Sequence, residues 1–348
     1  MIENKKRNDV LDVTKGFCVF LVILGHVIQY FSANKYDFFE NKLFQIIYSF
    51  HMPLFMILSG YLFYYTINNR DTKYILKNRI FSILQTIIIW NTITYILKLL
   101  YSLIIEKIEM NMYSIISNYI NSLFGLWFLW AVVICSFGVL IIYKYNFRFK
   151  LLSLLLYSFI IILFPNRWLI LFLYPYFLLG FYFNKNQKII NIVKSIQIAS
   201  FILFPLLLFF YGKEDFIYTT KINPFTSNMG FTNQIAIDLY RWFIGGAGIV
   251  VVITIIKYIV DIFSCKKIIK VLSELGKISL EVYVIQYLFL ENIGAKYLKQ
   301  IDLNLSNNEL IYNIVISPIF SILILLIIFV VIKLLCKKKN LYFFVFGR

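Results

Sequence analysis

Apolar runs separated by short polar connections recur from one end of the chain to the other, most of them close to the ~20 residues a helix needs to cross a bilayer. This pattern predicts ten spans, at residues 11–32, 43–66, 80–101, 121–143, 149–165, 168–184, 196–211, 234–257, 278–295 and 311–333. The fifth and sixth are short and separated only by Asn166 and Arg167, which leaves a re-entrant pair as the alternative there. No polar stretch is long enough to fold as a separate soluble domain. The expected fold is therefore all-α, a polytopic transmembrane helical bundle of about 10 spans, with residues 1–348 forming one integral membrane domain. The longer connections, 102–120, 212–233 and 296–310, are polar, rich in Asn, Ser and Tyr, and carry little net charge.

At 61% hydrophobic and 15% charged residues the chain is too apolar for a soluble protein. Its net charge of +17 is thus first a matter of membrane orientation. With the N-terminus in the cytoplasm, 23 of the 34 Lys and Arg residues fall in cytoplasmic connections, eight outside and three within spans. This bias predicts both termini inside and assigns most of the basic excess to orientation and to anionic membrane lipid, with no nucleic-acid partner. A subset, Arg70, Lys73, Lys77 and Arg79, suits the phosphates of a cytosolic nucleotide-like donor. The four cysteines are widely spaced and form no CxxC pair. Lys5, Lys6 and Arg7 precede the first run as in a signal peptide, but its length and lack of a small-residue cleavage site mark it as a retained span.

The candidate chemistry begins in that first span. Lys15 and His26 are eleven residues apart, within about 20° of three full turns, so they share one helix face about 16 Å apart. Asp12, one turn earlier, lies on the same stripe as a salt-bridge partner for Lys15. Ionisable groups are costly in hydrocarbon and face a polar cavity instead. His26 and His51 are the only histidines, and each sits in an apolar run; His51 is followed by Met52 and Pro53, where the missing backbone N–H loosens the helix. An imidazole exchanges a proton near neutral pH, which suits a general base that activates an alcohol. Two histidines with neither a carboxylate cluster nor a cysteine pair make no metal site.

Lys15 and His26 with ten residues between them, the Gly25-His26 pair, and Phe50-His51-Met52-Pro53-Leu54-Phe55 with Ser59-Gly60-Tyr61 together resemble the membrane-bound acyltransferase family 3. Within it, the likeness is to the branch of fucose 4-O-acetylase-like and polysaccharide O-acetyltransferases. Weaker echoes stand at Leu126-Trp127-Phe128-Leu129, at residues 174–180 and at residues 275–283, so the likeness spans nearly the whole chain. The resemblance implies a ten-span enzyme of the bacterial cytoplasmic membrane. Such an enzyme moves an acyl group, usually acetyl, from cytosolic acyl-CoA (acetyl-CoA) to a hydroxyl of a carbohydrate or lipid-linked glycan acceptor of the cell envelope. It carries catalytic roles to Lys15, His26 and His51, and Arg241 is similar to an arginine in a later span of relatives. Where many relatives have a third histidine, this chain has Gln286.

Attack of a hydroxyl on a thioester needs a base, for which His26 or His51 serves, and donors to the developing oxyanion, for which the second imidazole or Arg241 serves. Asp238 is placed to orient Arg241 as an i,i+3 partner. Lys15 with Arg79 is expected to contact the donor, and Glu281 to polarise a histidine or bind the acceptor. The tryptophans at 127, 130, 168 and 242 are expected to be interfacial or packing residues. A transporter or exporter of lipid-linked oligosaccharide is the alternative. Against it, no second copy of the Lys15-to-His26 motif marks an internal repeat.

Overall fold

The computed structural model describes residues 9–31, 37–107, 111–145, 147–185, 195–222, 230–263, 267–298 and 308–348, among which every regular element is helical. In chain order these are α1 (Asp9–Phe31), α2 (Lys42–Asn69), α3 (Thr72–Ile104), α4 (Met112–Ser122), α5 (Trp127–Lys144), α6 (Lys150–Ile161), α7 (Arg167–Lys185) and α8 (Gln197–Phe210). They are followed by α9 (Phe231–Phe263), α10 (Lys267–Lys277), α11 (Ser279–Gln286), a π-helical stretch (Tyr287–Leu298), α12 (Glu309–Cys336) and α13 (Lys339–Phe346). Each of the ten predicted apolar segments lies on helix. Among the described residues six helices are long and apolar enough to cross a membrane: α1, α2, α3, α5, most of α9, and α12. The helices α6 and α8 are shorter. Of the basic residues that set the expected orientation, Lys5 to Arg7, Lys35, Lys188, Lys194, Lys266 and Lys299 lie outside the described residues.

Burial sorts the long helices. In α1 and α2, 72% of the apolar window is buried inside the protein, against 17% in α12. The two helices that carry the histidines therefore form the centre, and the almost purely aliphatic α12 lies at the periphery. Two close crossings lock this centre. A Cβ at Gly16 would sit 1.9 Å from the Leu272 carbonyl oxygen, and one at Gly276 1.8 Å from that of Asp12, so α1 and α10 touch backbone to backbone. Where α2 crosses α7, a Cβ at Gly60 would lie 2.0 Å from the Phe177 oxygen, and one at Gly180 2.0 Å from the Ile57 oxygen. Without a hydrophobic driving force between helices in lipid, such small-residue contacts supply the packing that holds a bundle together.

The predicted loop 102–120 contains α4 instead. Asn111 caps it, its side-chain oxygen accepting the Ser114 N–H at 2.7 Å, and its apolar and polar residues alternate at helical spacing, too short and polar for a span. The polar segment before residue 278 likewise folds as α10, which turns Ile269 and Leu275 inward and Lys267 and Lys270 outward. The chain ends on α13, which lies against α3: the Trp90 indole donates to the Val345 carbonyl at 3.0 Å.

Substituting Gly180 or Gly276 with leucine is expected to force these crossings apart, costing about 1–3 kcal/mol or more, read as loss of monodisperse protein and a lower Tm in detergent. Gly246→Ala is the control: nothing lies within 4 Å of its Cβ position, so it should leave Tm unchanged or raise it.

Candidate active site

The inward faces of α1, α2 and the π-helical stretch enclose a cavity of about 300 Å³ that contains both histidines. His26 is aimed by α1, its ring stacked on Tyr30 with centroids 5.7 Å apart. Its Nε2 lies 3.2 Å from Glu291 Oε1 and its Nδ1 3.2 Å from Gln29 Oε1. His51 is buried on α2, and its Nδ1 is 2.7 Å from the Ile47 carbonyl oxygen. A carbonyl only accepts, so Nδ1 carries the hydrogen and the Nε2 lone pair is left for chemistry. Tyr48, packed edge-on against His51 at 4.8 Å, together with Tyr218 and Trp127, completes an aromatic wall. Trp127 thus faces the cavity and is not only a packing residue.

Glu291 is the group that sequence reasoning missed. Gln286, five residues earlier, donates to the same Oε1 at 3.3 Å. At 100° per residue the two would stand about 140° apart. The π-helical winding of Tyr287–Leu298 brings residues five apart onto one face, and Asn292 bonds the Tyr287 carbonyl at 2.7 Å by the same spacing.

A second cavity, of about 260 Å³, holds Lys15, Arg79, Lys277 and Arg348 together with Ser59 and Ser136 above an apolar floor that includes Phe55, Leu58 and Phe128. Met52 and Tyr283 line both cavities. Lys15 keeps its expected partner Asp12, 3.1 Å away. One face of α1 therefore serves the basic cavity at Lys15 and the histidine cavity at His26.

Arg241 and Asp238 are paired as expected, at 2.8 Å, but away from the histidines. Arg241 is buried with its N–H groups on the segment 214–221: Nε donates to the Asp215 carbonyl at 2.7 Å, Nη1 to that of Lys221 at 3.0 Å, and Nη2 to that of Glu214 at 2.8 Å. Nη2 also bonds the Phe216 carbonyl and the Thr220 hydroxyl. This segment carries Tyr218 into the aromatic wall. With its donors committed there, Arg241 has no access to the cavity in which the oxyanion role was expected. Glu281 is also turned elsewhere. It accepts from Arg348 Nη2 at 2.6 Å and from the Tyr342 hydroxyl, clamping the C-terminal segment, and lies beside no histidine.

The family model described as an acyltransferase domain matches residues 8–337, and the chain belongs to that family, acyltransferase family 3. It is similar to Nodulation protein NolL of Mesorhizobium japonicum, 28% identical over 226 residues, 61% of this chain and 58% of that protein. It is also similar to Nodulation protein NolL of Sinorhizobium fredii, 31% identical over 188 residues, 52% of this chain and 50% of that protein. The chain thus spans little more than half the length of these relatives. No solved structure matches it.

Arg241→Lys, which keeps the charge but not the fan of donors, should release the 212–222 segment. Limited proteolysis of the purified protein is expected to cut there at least about tenfold faster, since uncovering several buried carbonyls costs well over 1.4 kcal/mol. Unchanged cleavage would show that the clamp is dispensable.

Proposed function

We propose that the protein is an O-acyltransferase, with acetyl-CoA as donor and a hydroxyl of a cell-envelope carbohydrate or its lipid-linked precursor as acceptor. The observation that carries this is the pair of cavities meeting at Met52 and Tyr283, one basic and apolar, the other holding two imidazoles and a carboxylate. The basic rim suits the phosphates of the donor, with Lys15 and Arg79 as contacts, and the apolar floor suits its acyl-bearing arm. The thioester then reaches the histidines past Met52 and Tyr283.

There the acceptor O–H displaces Gln29 at Nδ1 of His26, the ring nitrogen that Glu291 does not hold, and gives its proton there while its oxygen bonds the thioester carbon. The C–S bond then breaks, and the sulfur leaves with that proton. Glu291 behind His26 orients the ring and stabilises the imidazolium formed midway, as the carboxylate does in a catalytic triad. His51, whose free Nε2 faces the same cavity, is the second catalytic group. Asp12 acts through Lys15, Asp238 through Arg241, and Arg241 and Glu281 through the segments they clamp.

The membrane arrangement belongs to the same proposal: residues 1–348 as one integral domain with ten spans and both termini inside, in a bacterial cytoplasmic membrane. Its support is that connections assigned to one side meet each other. Lys144 bonds the Arg70 carbonyl at 3.3 Å at one end, and Lys213 pairs with Asp37 at 2.6 Å at the other. Family membership favours transfer over the exporter alternative.

With membranes at matched expression, transfer of radiolabelled acetyl from acetyl-CoA to envelope glycan should fall ~10²–10⁴-fold in His26→Ala and His51→Ala, and at least about tenfold in Glu291→Gln. Lys15→Met and Arg79→Met should instead raise the KM for acetyl-CoA, by about tenfold each. Normal transfer in both histidine variants would refute the assignment.

A further inference from the structure

A third cavity, larger at about 650 Å³, opens between the C-terminal half of α3 and the amphipathic α4. Its lining includes Asn91, Thr94, Tyr95, Lys98, Asn121 and Tyr287. Among the described residues Asn91 Oδ1 and Thr94 Oγ1 have no hydrogen-bond partner, although the two residues are only 1% and 4% exposed. The Asn91 amide is fixed by donation from Nδ2 to the Leu123 carbonyl at 3.0 Å, which leaves the orphan oxygen beside Gly125, a residue of the cavity lining. A buried polar atom without a partner costs the desolvation of the group, so two on adjacent turns of one helix call for a ligand that completes them.

The ligand's class follows from the rest of the lining. Lys98 and Glu106 bring one charge of each sign, which suits a neutral molecule better than a phosphate. Asparagine and threonine supply both donors and acceptors, and the Tyr95 and Tyr287 rings supply apolar walls, the mixture that holds hydroxyl-rich rings. The cleft also adjoins the chemistry. Gly125 lines it so tightly that a Cβ would fall 1.9 Å from the Tyr287 hydroxyl and 2.8 Å from Asn91 Oδ1. Two residues on, Trp127 lines the histidine cavity, and Tyr287 lies on the same π-helical stretch as Glu291.

We infer that this cleft is a saccharide-binding subsite that seats the acceptor glycan while one of its hydroxyls reaches His26. The inference rests on the acyltransferase proposal for its purpose, but its binding function is tested separately. Thr94→Val removes only an orphan hydroxyl and should leave the fold intact; Thr94→Ser restores it, and Asn121→Ala trims the exposed rim.

The probe set is the methyl glycosides of glucose, galactose, N-acetylglucosamine and fucose, observed by saturation-transfer NMR on the full chain in a detergent without a sugar head group. Wild type and Thr94→Ser are expected to bind at least one glycoside, and Thr94→Val and Asn121→Ala to lose most of the signal. In transfer assays, Thr94→Val should raise the acceptor KM about fivefold or more, with kcat and the acetyl-CoA KM unchanged. No glycoside bound by wild type, equal binding in Thr94→Val, or a co-purifying phospholipid released only by the variants would overturn the subsite. Absence of acetyl transfer would instead remove the enzyme proposal and leave the binding result standing.

Discussion

The site depends on the way the chain winds after Gln286. An α-helix continuing through Tyr287–Leu298 would turn Glu291 about 140° away from Gln286. The carboxylate would leave the face of His26. The wider π turn instead stacks residues five apart, so one carboxylate receives both the glutamine amide and the imidazole. Wide turns of this kind are rare and recur at functional sites. Here the departure from α geometry is what joins α1 to the ninth apolar segment through a carboxylate–imidazole contact.

That pair also answers the constraint imposed by lipid. A carboxylate and an imidazole within a membrane bundle are tolerated when each satisfies the other and both face a cavity. The glycine crossings keep that cavity in place. Because Gly16 lets α10 approach to backbone contact just beyond Lys15, the basic rim is assembled from α1, α10 and the C-terminal residue Arg348 around one mouth. Its distance from His26 is then the length of a rigid helix, not of a loop, which suits precise placement of two ends of one substrate.

The fold was legible in the sequence because apolar run length reports directly on membrane-compatible helix. Burial was legible where ionisable residues interrupted such runs, as at Lys15, His26 and His51, which the structure places on two adjoining cavities. Glu291 was not, since every face assignment assumed 3.6 residues per turn. Arg241 and Glu281, expected to serve the oxyanion and a histidine or the acceptor, are both buried, yet their partners are backbone carbonyls of 214–221 and a C-terminal arginine. Sequence spacing carries no trace of contacts between segments that far apart. The helix α4 was missed for the opposite reason: its polar face made a capped amphipathic helix read as loop.

Arg241 shows why a buried charge far from the chemistry still matters to it. Each donor it spends on a carbonyl of 214–221 satisfies an acceptor that such short helical turns would otherwise leave bare. Asp238 balances its charge, and Gln234 adds donors to Asp238 and to the Lys221 carbonyl at 3.2 and 2.8 Å. The segment, a 3-10 turn at Lys213–Asp215 and one α-helical turn at Ile217–Thr220, is too short to be stable alone and is held in place by these bonds. Phe216, in extended backbone between the two turns, packs against Phe39 at 4.9 Å while Tyr218, two residues on, turns to Tyr48 and Trp127 in the cavity wall. A continuous helix would set residues two apart about 160° from each other in azimuth, so the break at Phe216 is what lets both rings face one wall.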